Sequence, residues 1–121
     1  MSDPTTQKII GAAIEVHRHL GCGLLEDIYE KALCHEFVLC DISFQRQFMI
    51  GVNYKGVIIT GQRIDLLVDN EVVVEIKSLS RLPEVATAQT LSYLKATGLR
   101  RGLLINFGAP RLVDGIERIS L

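Results

Sequence analysis

The stretch Arg63-Ile64-Asp65-Leu66-Leu67-Val68, then Asp69-Asn70-Glu71, then Val72-Val73-Val74-Glu75-Ile76-Lys77 constrains the fold more than any other part of the chain. Two runs rich in Val, Ile and Leu flank a short polar turn, the pattern of two antiparallel strands joined as a hairpin. Side chains alternate along a strand, so Glu75 and Lys77 emerge on one face. Two carboxylates and an ammonium on otherwise apolar strands cost free energy unless they are paired or hold a metal. The pattern therefore leaves two readings open. Asp65, Glu75 and Lys77 build a site, or Glu75 and Lys77 form a weak ion pair on an edge strand.

The rest of the chain supplies the partners of that hairpin. Ile9, Ile10, Ala13, Ile14, Val16, His17 and Leu20 make a helical stripe, with Thr5 or Thr6 as N-cap, broken at Gly21-Cys22-Gly23. A second helix is predicted from about Leu24 to Leu39, then extended chain from Phe44 to Ile59 with a turn near Asn53–Gly56. After the hairpin, Pro83 suits a helix start and Gly98 its stop, so a third helix spans Glu84 to about Thr97. Gly102-Leu103-Leu104-Ile105-Asn106-Phe107 reads as a buried strand, and Val113 to Ile119 as a last one. This order predicts one α/β domain over residues 1–121, with a mixed central sheet flanked by helices.

Bulk properties narrow the function classes. No apolar run approaches the roughly 20 residues a bilayer crossing needs, and Met1 to Thr6 has no export signal. Three cysteines, Cys22, Cys34 and Cys40, are an odd number without a Cys-x-x-Cys pair, so reduced, buried thiols and a cytoplasmic location are expected. Net charge is −1, which argues against a globally basic nucleic-acid binder. Yet residues 95–121 carry Lys95, Arg100, Arg101, Arg111 and Arg118 against Asp114 and Glu117, a local excess that could attract phosphate.

Phosphodiester hydrolysis needs an activated water and compensation of charge on phosphorus and the leaving oxygen. Mg²⁺ or Mn²⁺ held by a few carboxylate oxygens supplies both. Asp65 and Glu75 suit that task if the hairpin sets them side by side, and the Ile76 backbone carbonyl offers another oxygen. Lys77 fits a protonated group that orients water and stabilises transition-state charge. Glu26 opens the second helix, and Gln89 and Tyr93 lie four apart on one face of the third.

Gly23-x-x-Glu26-x-x-Tyr29, then Asp65, Glu75-x-Lys77 and Gln89-x-x-x-Tyr93, resembles the small GxxExxY proteins grouped with the PD-(D/E)XK nuclease superfamily. The resemblance runs from about Ile9 to Ile119, although Ile64 stands where the superfamily often has proline. It implies a restriction-endonuclease-like core, with Asp65 and Glu75 as metal ligands, Lys77 as catalytic lysine and Glu26 at the metal directly or through water. It also implies Gln89 and Tyr93 beside the nucleic-acid strand, and it raises His17 as a further ligand.

The expected activity is a Mg²⁺- or Mn²⁺-dependent nuclease acting on DNA ahead of RNA, with a homodimer offering a wider grip. The competing reading is a non-catalytic module that keeps the fold and binds nucleic acid or protein. Cysteine and histidine spacings match no compact zinc pattern. A GxxxxGK loop and a Gly-x-Ser-x-Gly elbow are both lacking.

Overall fold

A computed structural model describes residues 3–121. Helix α1 (Pro4–Leu20) begins at a proline whose fixed φ suits a first turn. Its cap is Asp3, whose carboxylate accepts the Thr6 N–H at 2.9 Å. Neither Thr5 nor Thr6 caps it, because the proline moves the start upstream of both. Helix α2 (Glu26–Leu39) begins later than the sequence suggested, since Gly23 is left-handed (φ 105°) and Leu25 is still extended.

Strands β1 (Phe44–Tyr54) and β2 (Val57–Val68) form a long hairpin. Its turn is closed by Lys55 and Gly56 at positive φ and by the Asn53 side chain, which accepts the Gly56 N–H at 2.9 Å. Strand β3 (Val72–Lys77) follows a turn in which Asp69 and Asn70 both sit at φ near 53°, the primed geometry that matches strand twist. Helix α3 (Glu84–Thr97) ends at left-handed Gly98, and β4 (Arg101–Asn106) and β5 (Ile116–Ser120) complete the sheet. Val113 to Gly115, predicted as the start of the last strand, instead lie in a 3-10 turn (Leu112–Gly115) that buries Leu112.

The sheet order is β1-β2-β3-β4-β5. Every pair is antiparallel except β3 with β4, which the α3 crossover makes parallel. Helices α1 and α2 cover one face, burying Ile9, Ala13, Leu33 and Phe37 against Leu66, Val74, Ile76 and Ile105. Helix α3 covers the other, where Ala86, Tyr93 and Leu94 meet Ile64, Val73 and Leu104. The fold is thus α/β with a mixed central sheet flanked by helices, as expected. Strand β3 lies in the middle, buried on both faces, which explains its unbroken valines. No helix among the described residues is long and apolar enough to cross a membrane.

Candidate active site

The β2–β3 ladder pairs Val68 with Val72, Leu67 with Val73 and Leu66 with Val74, then stops. The next residues in register are Asp65 and Glu75, and there side chains replace the backbone bonds. The Asp65 N–H donates to Glu75 Oε2 at 2.8 Å, and the Ile76 N–H donates to Asp65 Oδ2 at 2.8 Å. Glu75 is only 4% exposed, on a central strand. An exposed Glu75–Lys77 ion pair on an edge strand is therefore ruled out. The Ile76 N–H points towards β2, and in an extended residue the carbonyl leaves on the same side. That carbonyl accordingly faces the gap between the two strands.

The ladder is interrupted on the other side of Asp65 as well. Arg46 pairs with Leu66 and Phe48 with Ile64, but Gln47 and Asp65 between them do not pair. Gln47 is left-handed (φ 53°). This residue turns the strand over, so that Phe44 packs with the α1/α2 core and Phe48 with the α3 core. Asp65 thus sits where the sheet is open along both of its edges.

Glu26 is delivered from outside the sheet. Buried Tyr29 donates its hydroxyl to the Gly21 carbonyl at 2.5 Å and accepts the Leu24 N–H at 3.2 Å. Its ring stacks on Phe107, with centroids 4.6 Å apart. Ser78, next to Lys77, donates to the Leu24 carbonyl at 2.6 Å. The loop before α2 is therefore tied to the end of β3, and Glu26 faces the charged end of that strand. From β4, the Phe107 N–H donates to the Lys77 carbonyl at 2.8 Å. Asn106 exchanges hydrogen bonds with the backbone of Leu79, fixing the segment that follows Lys77.

The electrostatics show a shortage of positive charge. Burial, then the neighbouring Asp65, pushes the Glu75 carboxyl up to about 8. Burial also raises Asp65 and Glu26; the charge of Glu30 raises both further, and that of Asp65 raises Glu26. The nearby charge of Lys77 lowers all three without restoring their ordinary values. Tyr93 is raised by burial and by the charges of Glu75 and Asp65, which places its hydroxyl at the border of the same cluster. Oxygen-only donors with excess negative charge fit a hard divalent cation such as Mg²⁺ or Mn²⁺. They do not fit zinc, for which thiolate and imidazole are the usual donors.

Glu26, Asp65, Glu75 and Lys77 are thus within one another's electrostatic reach. They are not a closed clasp: among the described residues, no three His, Cys, Asp or Glu side chains are gathered closely enough to hold a metal. Asp65 Oδ2 and Glu75 Oε2 are engaged by backbone amides instead. Gln89 is exposed, one helical turn before Tyr93 on α3. His17 Nε2 donates to the Ala109 carbonyl at 2.9 Å. The thiols are not buried, since Cys22 and Cys40 are exposed and Cys34 is half-buried.

Sequence reasoning missed three polar residues next to Asp65. Glu30, one turn after Glu26 on α2 and 4% exposed, accepts from Arg46 Nε at 2.5 Å and from Gln47 Nε2 at 2.9 and 3.0 Å. The signal that could have found it is the i, i+4 spacing from Glu26.

A family model for the PD-(D/E)XK nuclease superfamily matches residues 3–119, almost the entire chain. No curated protein and no solved structure gives a significant match.

Proposed function

The chain belongs to the PD-(D/E)XK nuclease superfamily, and from that premise we propose that it is a metal-dependent nuclease hydrolysing phosphodiester bonds of DNA, with RNA as the second choice. Within the superfamily we assign it to the GxxExxY proteins, on Gly23, Glu26 and Tyr29. The observation that carries this reading is the joint upward shift of Glu26, Asp65 and Glu75 beside a single lysine. The oxygen sources available to a cation there are these three carboxylates, within electrostatic reach of one another, and the Ile76 carbonyl.

In this proposal Asp65 and Glu75 hold Mg²⁺ or Mn²⁺ with the Ile76 carbonyl, and Glu26 adds its carboxylate directly or through water. The ion, when bound, supplies charge compensation at the phosphate and an acidified water. Lys77 orients the attacking water and stabilises the charge that builds on the phosphate oxygens. Tyr93 and the exposed Gln89 border the substrate strand. The domain spans residues 1–121 and works in the cytoplasm as a homodimer, which widens the surface that a chain this small presents to a duplex.

The test is incubation of purified protein with single- and double-stranded DNA and RNA, with and without Mn²⁺, beside Lys77→Ala. Metal-dependent cleavage that Lys77→Ala lacks supports the proposal; equal cleavage by both proteins rejects it. A second reading has its own observation. Without a closed clasp among the described residues, the fold could serve as a non-catalytic binding module. Such a module gains no thermal stability from Mn²⁺, whereas the nuclease does, and loses that gain with Asp65→Ala.

A further inference from the structure

Glu30 is a buried carboxylate that the proposed chemistry does not use. It is fully engaged, by Arg46 from one side and by the Gln47 amide from the other. Arg46 also reaches Asp27 at 3.2 Å, so its guanidinium bridges α2 to β1 through two carboxylates of one helix. Gln47 in turn is held at φ 53°, a conformation that a straight-chain residue seldom adopts. It stands opposite Asp65 where both neighbouring pairs are formed and this one is not. Strain of this kind persists only where surrounding contacts impose it, and it gathers at functional sites.

The amide nitrogen of glutamine carries two protons. The Glu30 carboxylate takes up one side of it. The same residue stands opposite Asp65 across the β1–β2 register, and its amide interacts with the Asp65 carboxylate. Asp65 Oδ2 is fixed from β3 by the Ile76 N–H, while Gln47 approaches the carboxylate from β1. We propose that Arg46, Glu30 and Gln47 form a positioning relay, in which Gln47 holds Asp65 in the orientation that a divalent cation requires while itself touching neither metal nor substrate. The inference rests on the metal-binding reading of Asp65. Outer hydrogen-bond partners of this sort set the orientation of a ligand, and losing one typically weakens metal affinity 10- to 100-fold.

Calorimetric Mn²⁺ titration of the full chain tests the relay, using wild type, Asp65→Ala, Gln47→Leu and Gln47→Asn, each also melted without metal. Gln47→Leu keeps the length and removes the amide. Gln47→Asn suits the left-handed backbone better than glutamine does but falls one methylene short of bridging Glu30 and Asp65. The relay requires that Gln47→Asn melt at or above wild type while binding Mn²⁺ about tenfold or more weakly; a purely structural role would not split the two readouts in this way. If Gln47→Leu fails to fold, Gln47→Asn alone decides. Wild-type affinity in the folded glutamine variants, with Asp65→Ala abolishing binding, overturns the relay and leaves the metal site standing. Failure of wild type itself to bind Mn²⁺ overturns the metal reading and the relay with it.

Discussion

Asp65 and Glu75 stop the β2–β3 ladder and then substitute for it, each carboxylate accepting a backbone N–H from the opposite strand. The two acids are therefore structural in the metal-free protein, and a substitution must be read with that in mind. Asp65→Asn keeps an oxygen for the Ile76 N–H, whereas Asp65→Ala orphans that donor at a cost of about 1–3 kcal/mol. Urea unfolding should show Asp65→Asn at least as stable as wild type without metal, because a carboxylate raised by burial and by Glu30 is replaced by a neutral amide, and Asp65→Ala less stable. Neither should be stabilised by Mn²⁺. A wild-type Mn²⁺ response in Asp65→Asn would remove Asp65 from the ligand set.

Glu75 gives the protein a pH signature. Its carboxyl is raised to about 8 in the fold, against an ordinary value near 4.3 in an unfolded chain. Between these values the folded state holds a proton that the unfolded state has released. Stability of the metal-free protein should therefore fall as pH rises through that window, by no more than about 1.4 kcal/mol per pH unit for one group. Glu75→Gln should flatten the profile relative to wild type. Parallel curves for the two proteins between about pH 5 and 8 would mean that Glu75 titrates normally; the measurement is the urea midpoint against pH.

Lys77 separates binding from chemistry. Its charge lowers all three carboxylates, yet as an ammonium it cannot be a metal ligand. Lys77→Ala should cut the cleavage rate by about a hundredfold or more, the scale for removing a transition-state donor. Stabilisation by Mn²⁺ should survive, since an opposing cation has been taken away. Loss of the Mn²⁺ response in this variant would make Lys77 an organiser of the site rather than a participant.

How far the sequence could be read depends on the range of the interaction involved. The hairpin turn was legible because Asp69 and Asn70 are residues that tolerate positive φ, and Gly98 marked the end of α3 for the same local reason. Asp65, Glu75 and Lys77 stood out because charge on apolar strands is conspicuous. Gln47 gave no such sign. Its side chain is held by Glu30 from another element, and a glutamine in an extended run looks ordinary. The tie made by His17 was illegible for a related reason, since its partner Ala109 lies 92 residues away.

The β1–β2 hairpin carries the expectation of a dimer. By register, Val52 opposes Ile59 and Tyr54 opposes Val57, so these four side chains share one face near the hairpin tip. All four are exposed, from 43% for Val52 to 61% for Val57. Strand β1 also borders the sheet, leaving backbone groups free to pair. Light scattering should give a mass of two chains that Val57→Glu reduces to one. A single-chain mass for wild type at every concentration would refute the dimer.

Tyr29 shows how a residue far from any chemistry sets the position of Glu26. Its ring is buried against Phe107, and its hydroxyl satisfies both the Gly21 carbonyl and the Leu24 N–H in the loop that leads into α2. Tyr29→Phe preserves the stack and removes only the oxygen. The two backbone groups then lose their partner in a loop that is largely exposed, so the cost is that of an ordinary hydrogen bond, about 0.5–1.5 kcal/mol. Glu26 begins the helix that this loop aims, so Mn²⁺ affinity should weaken as well, by less than in Asp65→Asn. Urea unfolding and calorimetry on the same preparation check both effects. Unchanged stability would show that solvent replaces the hydroxyl, and the loop would then be held by Ser78 on the Leu24 carbonyl alone.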